Sequence, residues 1–151
     1  MTYKSIRQIG SIYRSLEYIS NVEFKQFGLN NNQYVYLVRI GEKPGIISNE
    51  LSKLIKVDKT TVSRNIKRLI EMKFITRVDA DDNRKEKKLF LTENGRVVFN
   101  RIISEHEYSN QKMLSGLNDD EIKTFNQLLQ KVENNTDQEW ENVKNGKERK
   151  Y

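Results

Sequence analysis

Residues 45–74 read GIISNELSKLIKVDKTTVSRNIKRLIEMKF, and this stretch decides the fold that we expect for the chain. A short helix is expected after Ser48, because Ser is a common helix cap and apolar residues follow at helical spacing. Asp58 is expected to cap a second helix that runs from about Lys59 to Met72. Two helices joined by so short a connection predict a helix-turn-helix.

The second of these helices has two contrasting faces. At about 100° per residue, Val62, Ile66 and Leu69 fall on one stripe, which predicts a core-facing side. The opposite side carries cationic and hydroxyl side chains, namely Thr60, Arg64 and Lys67, with Thr61 and Arg68 at its edge. The second helix of a helix-turn-helix lies in the major groove and offers such groups to bases and phosphates. We therefore call it the recognition helix.

Two short β runs, residues 74–79 and 87–92, follow the recognition helix and flank the polar segment 80–86. Alternating apolar residues in the second run predict a β-hairpin, which we call the wing. A helix-turn-helix followed by such a hairpin is a winged helix-turn-helix. Arg84 and Lys85 at the tip are expected to reach the adjacent minor groove, where an inserted guanidinium is favoured.

The positive charge of the chain is concentrated in the same region. Between Lys53 and Lys88 there are twelve Lys and Arg against six Asp and Glu, an excess equal to the net charge of +6 of all 151 residues. A basic excess confined to one segment is typical of a protein that binds a polyanion. The sequence therefore favours double-stranded DNA as a partner.

Composition excludes several classes of protein. The chain has no Cys and a single His, which excludes disulfide scaffolds and thiol chemistry and argues against a metal site. The mean hydropathy is −0.80, no window approaches about 18 uninterrupted apolar residues, and the first residues lack the apolar run of a signal peptide. No catalytic residues, metal or cofactor are expected, so the chain is not predicted to be an enzyme. A mainly helical, cytoplasmic protein without a membrane partner is expected.

Long amphipathic helices are expected on both sides of the winged region. The first carries an apolar stripe within residues 2–27, formed by Ile6, Ile9, Tyr13, Leu16 and Ile19. The last is predicted to be capped by Asn118 with Glu121 and carries Ile122, Phe125, Leu129 and Val132. Between them, Thr92 is expected to cap a helix that runs to about Ser115. The two stripes would be exposed in a monomer, which predicts a dimer with a two-fold axis.

Four segments carry a family resemblance: residues 45–52, 57–64, 82–84 (Asp-Asn-Arg) and 91–95 (Leu-Thr-Glu-Asn-Gly). Together they resemble the MarR family of bacterial transcriptional regulators, over about residues 29–95. The resemblance implies an obligate homodimer, a pseudo-palindromic DNA site and, usually, repression.

The resemblance also implies roles for individual residues. Arg84 corresponds to a wing arginine that enters the minor groove, and Asp82 to the acid that orients it. The positions that face DNA in the family correspond to Thr60, Thr61, Ser63 and Arg64. The chain departs from the family where Lys73 replaces the usual Gly after the recognition helix. We expect Lys73 to adopt a left-handed backbone conformation, although a reshaped turn would also serve.

These inferences predict a mainly α fold with a small β-hairpin wing, in a single domain of residues 1–151. Residues 29–95 form the DNA-binding lobe, and residues 1–28 and 96–151 form the helical dimerisation region. The expected DNA-binding residues are Ser48, Lys59, Thr60, Thr61, Ser63, Arg64, Lys67, Arg68, Asp82, Arg84 and Lys85.

The expected function is a homodimeric, sequence-specific DNA-binding transcriptional regulator, a repressor released by a small effector. A winged-helix protein- or RNA-interaction module is the alternative, because a fold does not dictate its function. Small phenolic or lipophilic effectors are implied by the resemblance. Several tyrosines could line an effector pocket or belong to the core, so no effector residue is assigned. The lone His106 is expected at the surface or an interface.

Overall fold

The computed structural model describes residues 3–81 and 85–151, and the chain divides into two units, residues 1–109 and 110–151. The helices of the described part are α1 (Lys4–Phe24), α2 (Gln33–Glu42), α3 (Ser48–Ile55), α4 (Lys59–Glu71), α5 (Glu93–Met113) and α6 (Asp119–Lys144), with a 3-10 turn at Lys25–Phe27. The strands are β1 (Ile46–Ile47), β2 (Ile75–Asp79) and β3 (Lys87–Leu91). The expected mainly α fold with a β-hairpin wing is confirmed.

The helix-turn-helix is formed by α3, the connection at residues 56–58, and α4. Lys56 has a left-handed backbone with φ of 56°, which ends α3 sharply. Ser52 is buried in α3, and its hydroxyl donates to the carbonyl oxygen of Val57 at 2.6 Å. This hydrogen bond satisfies a carbonyl in the connection and fixes where α4 begins.

The core of the first unit is built largely from aliphatic side chains of α2, α3, α4 and the sheet. Its fully buried members include Leu37, Ile40, Leu51, Leu69, Ile75 and Leu89. The predicted apolar stripe of α4 faces inward, since Val62, Ile66 and Leu69 are all at most 2% exposed. Burial of this stripe leaves the opposite side of α4 in solvent.

The wing belongs to a three-stranded antiparallel sheet with the order β1-β3-β2. Within it, Leu89 lies opposite both Ile46 of β1 and Arg77 of β2. The sequence predicted β2 and β3 but not β1. The third strand anchors the base of the wing to the segment that leads into α3.

Three helix caps predicted from the sequence are confirmed. The Asp58 side chain accepts the Thr61 N–H at 2.9 Å, and Asn118 forms a full capping box with Glu121. The Thr92 hydroxyl accepts the Gly95 N–H at 3.0 Å in the first turn of α5. A fourth prediction is wrong: Ser48 is the first residue of α3, Ile47 holds the cap position, and no side chain caps that end.

The turn that ends α4 is formed by a left-handed Lys73 and not by a reshaped backbone. The φ of Lys73 is 61°, as expected for the left-handed conformation. The Phe74 N–H bonds to the Leu69 carbonyl at 3.0 Å, and the Lys73 N–H bonds to the Ile70 carbonyl at 2.9 Å. This pair of hydrogen bonds is the Schellman closure that glycine usually provides.

The base of the wing is closed against the start of α5. The Thr92 N–H bonds to the Phe74 carbonyl at 3.0 Å. Gly95 lies so close to the same carbonyl that a Cβ at this position would stand 1.9 Å from its oxygen. A close approach of two backbones therefore requires glycine here.

Apolar side chains remain exposed on α1 and α6, each described within its own unit. Those of α1 include Ile6, Ile9, Tyr18 and Val22, and those of α6 include Leu128, Leu129, Val132 and Val143. No helix in the described ranges is long and apolar enough to span a membrane.

Candidate nucleic-acid interface

Five exposed residues of α4 line a shallow surface depression, which we call the reading patch: Lys59, Thr60, Ser63, Arg64 and Lys67. All five were predicted as DNA-binding residues. They share one side of the helix because α4 turns its apolar stripe toward the core. The patch combines three cationic groups with two hydroxyls on a rigid helix.

The N-terminus of α4 is held by the Asp58 cap. Besides the Thr61 N–H, the Asp58 carboxylate accepts the Thr61 hydroxyl at 2.7 Å. These two hydrogen bonds hold the pKa of Asp58 below its usual range. The Thr61 side chain is thus oriented toward the cap, unlike the hydroxyls of Thr60 and Ser63 in the reading patch.

The remaining predicted DNA-binding residues lie around this patch or outside the described part. Arg68 is exposed on α4, with its guanidinium 3.8 Å from the Glu71 carboxylate. Ser48 is exposed at the start of α3, and Lys85 is exposed in the wing. Asp82 and Arg84 lie outside the described residues.

The strands of the wing carry further cations that the sequence analysis did not select. Arg77 is exposed on β2, opposite Leu89 of β3. Lys87 pairs with the carboxylate of Asp79 across the two strands, so the negative charge of Asp79 is neutralised within the wing.

Asn65, a residue that the sequence analysis missed, joins α4 to α2. Its amide oxygen accepts from Nε2 of Gln33 at 3.1 Å. Its amide nitrogen donates to the Tyr36 hydroxyl at 3.2 Å and to the Thr61 carbonyl at 3.0 Å. The only signal in the sequence was an amide side chain beside the apolar stripe, a position that solvated residues also occupy.

The pKa of Tyr36 is influenced by one charge in the reading patch, that of Arg64, and by one beside it, that of Asp58. Burial raises the pKa of Tyr36, and the Asp58 carboxylate raises it further, whereas the Asn65 hydrogen bond and the Arg64 charge lower it. Tyr36 is 3% exposed, so it is a core residue beneath α4.

His106 lies partly exposed beside two aromatic rings, with 37% of its side chain accessible to solvent. Its ring makes edge-on contacts with Phe24 and Tyr34, with centroid distances of 6.1 and 5.9 Å. Burial lowers the pKa of His106, although the nearby carboxylates of Glu105 and Glu42 oppose that shift. This cluster joins α1, α2 and α5 within the first unit.

Comparison with known proteins gives consistent matches. Residues 29–87 match the model of the MarR family. The HTH-type transcriptional regulator YybA of Bacillus subtilis is 46% identical, and the match covers 97% of each chain. A crystal structure of a Listeria monocytogenes MarR-family regulator, complexed with 26mer DNA, is 43% identical, with 97% of each chain covered and a TM-score of 0.92.

A crystal structure of the transcriptional regulator SlyA is 44% identical, with 93% of this chain and 99% of that chain covered and a TM-score of 0.88. Matches of this identity over nearly the whole length extend well beyond the lobe that carries the family pattern. Because they are transcriptional regulators, the chain is a regulator and not an enzyme. It belongs to the MarR family of winged helix-turn-helix, DNA-binding transcriptional regulators.

Proposed function

We propose that this chain is a homodimeric, cytoplasmic repressor that binds a pseudo-palindromic operator and is released by a small effector. The observation that carries the proposal is the reading patch, which places three cations and two hydroxyls on the solvent side of α4. An α-helix fits the major groove of B-DNA, where such groups meet base edges and phosphates. The complex of the Listeria relative with DNA supports this partner.

Within the patch, the residues are assigned different tasks. Arg64 reads bases, because a guanidinium can bind O6 and N7 of guanine together. Lys59, Lys67 and the hydroxyl groups position the helix on phosphates, together with Ser48 and Arg68 nearby. Thr61 contributes through the Asp58 cap, which fixes the first turn of α4.

The wing extends the contact into the minor groove. Lys85 is exposed there, and Arg84, oriented by Asp82, is proposed to insert its guanidinium between the two backbones. A narrow minor groove attracts such a group most strongly at A·T tracts.

The exposed apolar residues of α1 and α6 support the homodimer. Ile6, Tyr18 and Val22 of α1 are between 58% and 76% exposed. Exposed apolar surface of this extent is covered in a stable assembly, and a two-fold dimer covers the same face on both copies. Residues 1–28 and 96–151 are therefore assigned to dimerisation, and residues 29–95 to DNA.

An effector would act through the spacing of the two recognition helices. A phenolic or lipophilic molecule that binds better to a dimer with mismatched spacing shifts the population away from the DNA-bound form. We assign no residue to its site.

Selection of duplexes from a random-sequence library by the wild-type protein tests this function. We expect enrichment of two half-sites about one helical turn apart, and a footprint over both. Enrichment of no sequence, with weak binding to every duplex, would instead indicate a winged-helix interaction module.

The Arg64→Ala variant then tests the assigned reader. We expect a loss of about tenfold or more in affinity for the selected duplex, with relaxed preference at one base pair of each half-site. Arg39→Ala removes the same charge from α2, where Arg39 pairs with Glu42, and serves as the control. If Arg64→Ala keeps the ratio of specific to non-specific affinity, Arg64 contacts only phosphate.

A further inference from the structure

The contacts that hold α4 differ in how well they fix its rotation about its own axis. Val62, Ile66 and Leu69 pack through apolar surface, and such contacts are not directional. Hydrogen bonds are directional, because they weaken steeply as their angle departs from linear. Those that join α4 to α2 in the described part of the chain come from one side chain, Asn65.

Asn65 sits on the flank of α4, between the buried stripe and the solvent. It follows Arg64 directly in the chain, and a step of about 100° separates neighbouring residues around a helix. A rotation of α4 that breaks the bonds of Asn65 to α2 therefore moves the guanidinium of Arg64, with the rest of the reading patch, around the helix axis.

The partners of Asn65 on α2 are buried, so its bonds are not easily exchanged for water. Gln33 is 9% exposed and Tyr36 is 3% exposed. An asparagine amide offers two donors and one acceptor oxygen. Both donors and the oxygen of Asn65 are used, toward Tyr36, Thr61 and Gln33. The bonds to Tyr36 and Gln33 of α2 would be lost if α4 turned, whereas the bond to Thr61 lies within α4 and turns with it.

Further hydrogen bonds hold the turn before α2 and tie that turn to α1. Oε1 of Gln33 accepts from the Asn30 N–H at 3.1 Å, at the start of the turn that leads into α2. In that turn, the Asn32 N–H donates to Asn21 Oδ1 at 3.1 Å, and the Asn21 amide donates back to Asn32 Oδ1 at 2.6 Å. The Asn32 amide also donates to the carboxylate of Glu17.

We propose that Asn65 is a positioning residue for DNA recognition: through Gln33 it fixes the rotation of α4 relative to α2 and α1, and so sets where Arg64 meets the bases. This inference rests on the proposed sequence-specific function. Asn65 itself need not touch DNA. Its contribution is to specificity, because non-specific phosphate contacts tolerate small rotations of the helix that base contacts do not.

Two variants break this link from opposite sides. Asn65→Leu keeps the approximate shape and removes the amide. Gln33→Met removes the same bond from α2, at a buried position that cannot reach DNA. Asn94→Leu makes the matched change at an exposed position in the first turn of α5, outside the region assigned to dimerisation. Circular dichroism and thermal unfolding define a temperature at which each variant is folded, and binding is measured there.

The measured quantity is the ratio of affinities for the duplex selected by the wild-type protein and for a scrambled duplex of equal composition. We expect this ratio to fall about tenfold or more in both Asn65→Leu and Gln33→Met, as for one misplaced base contact. The salt dependence of binding to the scrambled duplex should stay unchanged, because the number of phosphate contacts is kept. Asn94→Leu should match the wild type.

Two outcomes overturn the inference, and they are distinguishable. A lowered melting temperature with an unchanged affinity ratio in both variants would make Asn65 a stabilising residue only, while the proposed function stands. A wild-type protein that enriches no sequence would remove the proposed function, and the inference with it.

Discussion

The side-chain hydroxyl of Thr92 donates a hydrogen bond of 2.6 Å to the carbonyl oxygen of Lys73. The same hydroxyl accepts the Gly95 N–H and so caps α5. The Thr92 side chain therefore bonds to two backbone groups. One is the Lys73 carbonyl just after the recognition helix, and the other is the Gly95 N–H at the start of α5. Loss of this hydroxyl affects both ends at once.

Thr92→Val tests this double role. Valine keeps the branched shape but can neither donate to Lys73 nor accept from Gly95. We expect the free energy of unfolding to fall by about 1–2 kcal/mol, the usual effect of a lost N-cap. Urea unfolding measures it, and Thr76→Val, on an exposed position of β2, should change it by less than about 0.5 kcal/mol. Equal effects of the two substitutions would contradict the double role.

Gly95→Ala should be among the most damaging single substitutions in the lobe. The added methyl would stand 1.9 Å from the Phe74 carbonyl oxygen, and a backbone atom cannot move aside as a side-chain end can. We expect a loss of about 3 kcal/mol or more in thermal or urea unfolding. The neighbouring Asn94→Ala, at an exposed position of the same helix turn, should leave stability nearly unchanged. A tolerated alanine at position 95 would mean that α5 can shift away from the wing.

Lys73→Gly should keep or slightly raise stability. A side chain in the left-handed region costs about 1–2 kcal/mol, and this is largely offset by the greater freedom of glycine in the unfolded chain. Lys67→Gly, in the interior of the same helix, should instead cost about 1 kcal/mol. The difference between the two melting temperatures is the measurement, and a clear loss in Lys73→Gly would refute the explanation.

The pH dependence of stability should carry a contribution from His106. Burial lowers its pKa in the folded chain, so the unfolded chain binds the proton more readily. Stability is then lost as the pH falls below about 6.5, and the loss is small because 37% of the His106 side chain is exposed to solvent. Urea unfolding of the wild type and of His106→Gln between about pH 7.5 and 5.5 separates the contribution of His106 from the contributions of the carboxylates. A wild-type pH dependence identical to that of His106→Gln would contradict it.

Arg84→Ala should lower affinity for the selected duplex without lowering stability, because its guanidinium is proposed to contact DNA. Asp82→Ala should act in the same direction but more weakly, since it only releases the orientation of Arg84. Gel shifts and thermal unfolding on the same preparations test both. Unchanged affinity in Arg84→Ala would mean that the wing does not reach DNA.

Features set by neighbours in the chain were predictable. Asp58, Thr92 and Asn118 cap helices through bonds to residues three positions ahead, so their spacing is visible in the sequence. The left-handed backbone of Lys73 was also predictable, because the apolar stripe of α4 ends before this residue. The reading patch followed from the same helical periodicity.

Features that depend on distant residues were not predictable. The strand β1 has two residues and exists only because Ile46 and Ile47 pair with β3. Gly41 lies inside α2, although glycine more often ends a helix, because the ring of Phe99 fills the space that a Cβ would need. The role of Asn65 could not be recognised from its neighbours in the sequence, because its partners Gln33 and Tyr36 come from another helix.

The closure at the base of the wing has a consequence for engineering. Lys73, Phe74, Thr92 and Gly95 join the two ends of the hairpin through backbone-level contacts, independently of what lies between Asp79 and Lys87. The tip of the hairpin could therefore be replaced by segments of other lengths or charges without changing the position of the recognition helix. Minor-groove preference could then be exchanged separately from the major-groove reader.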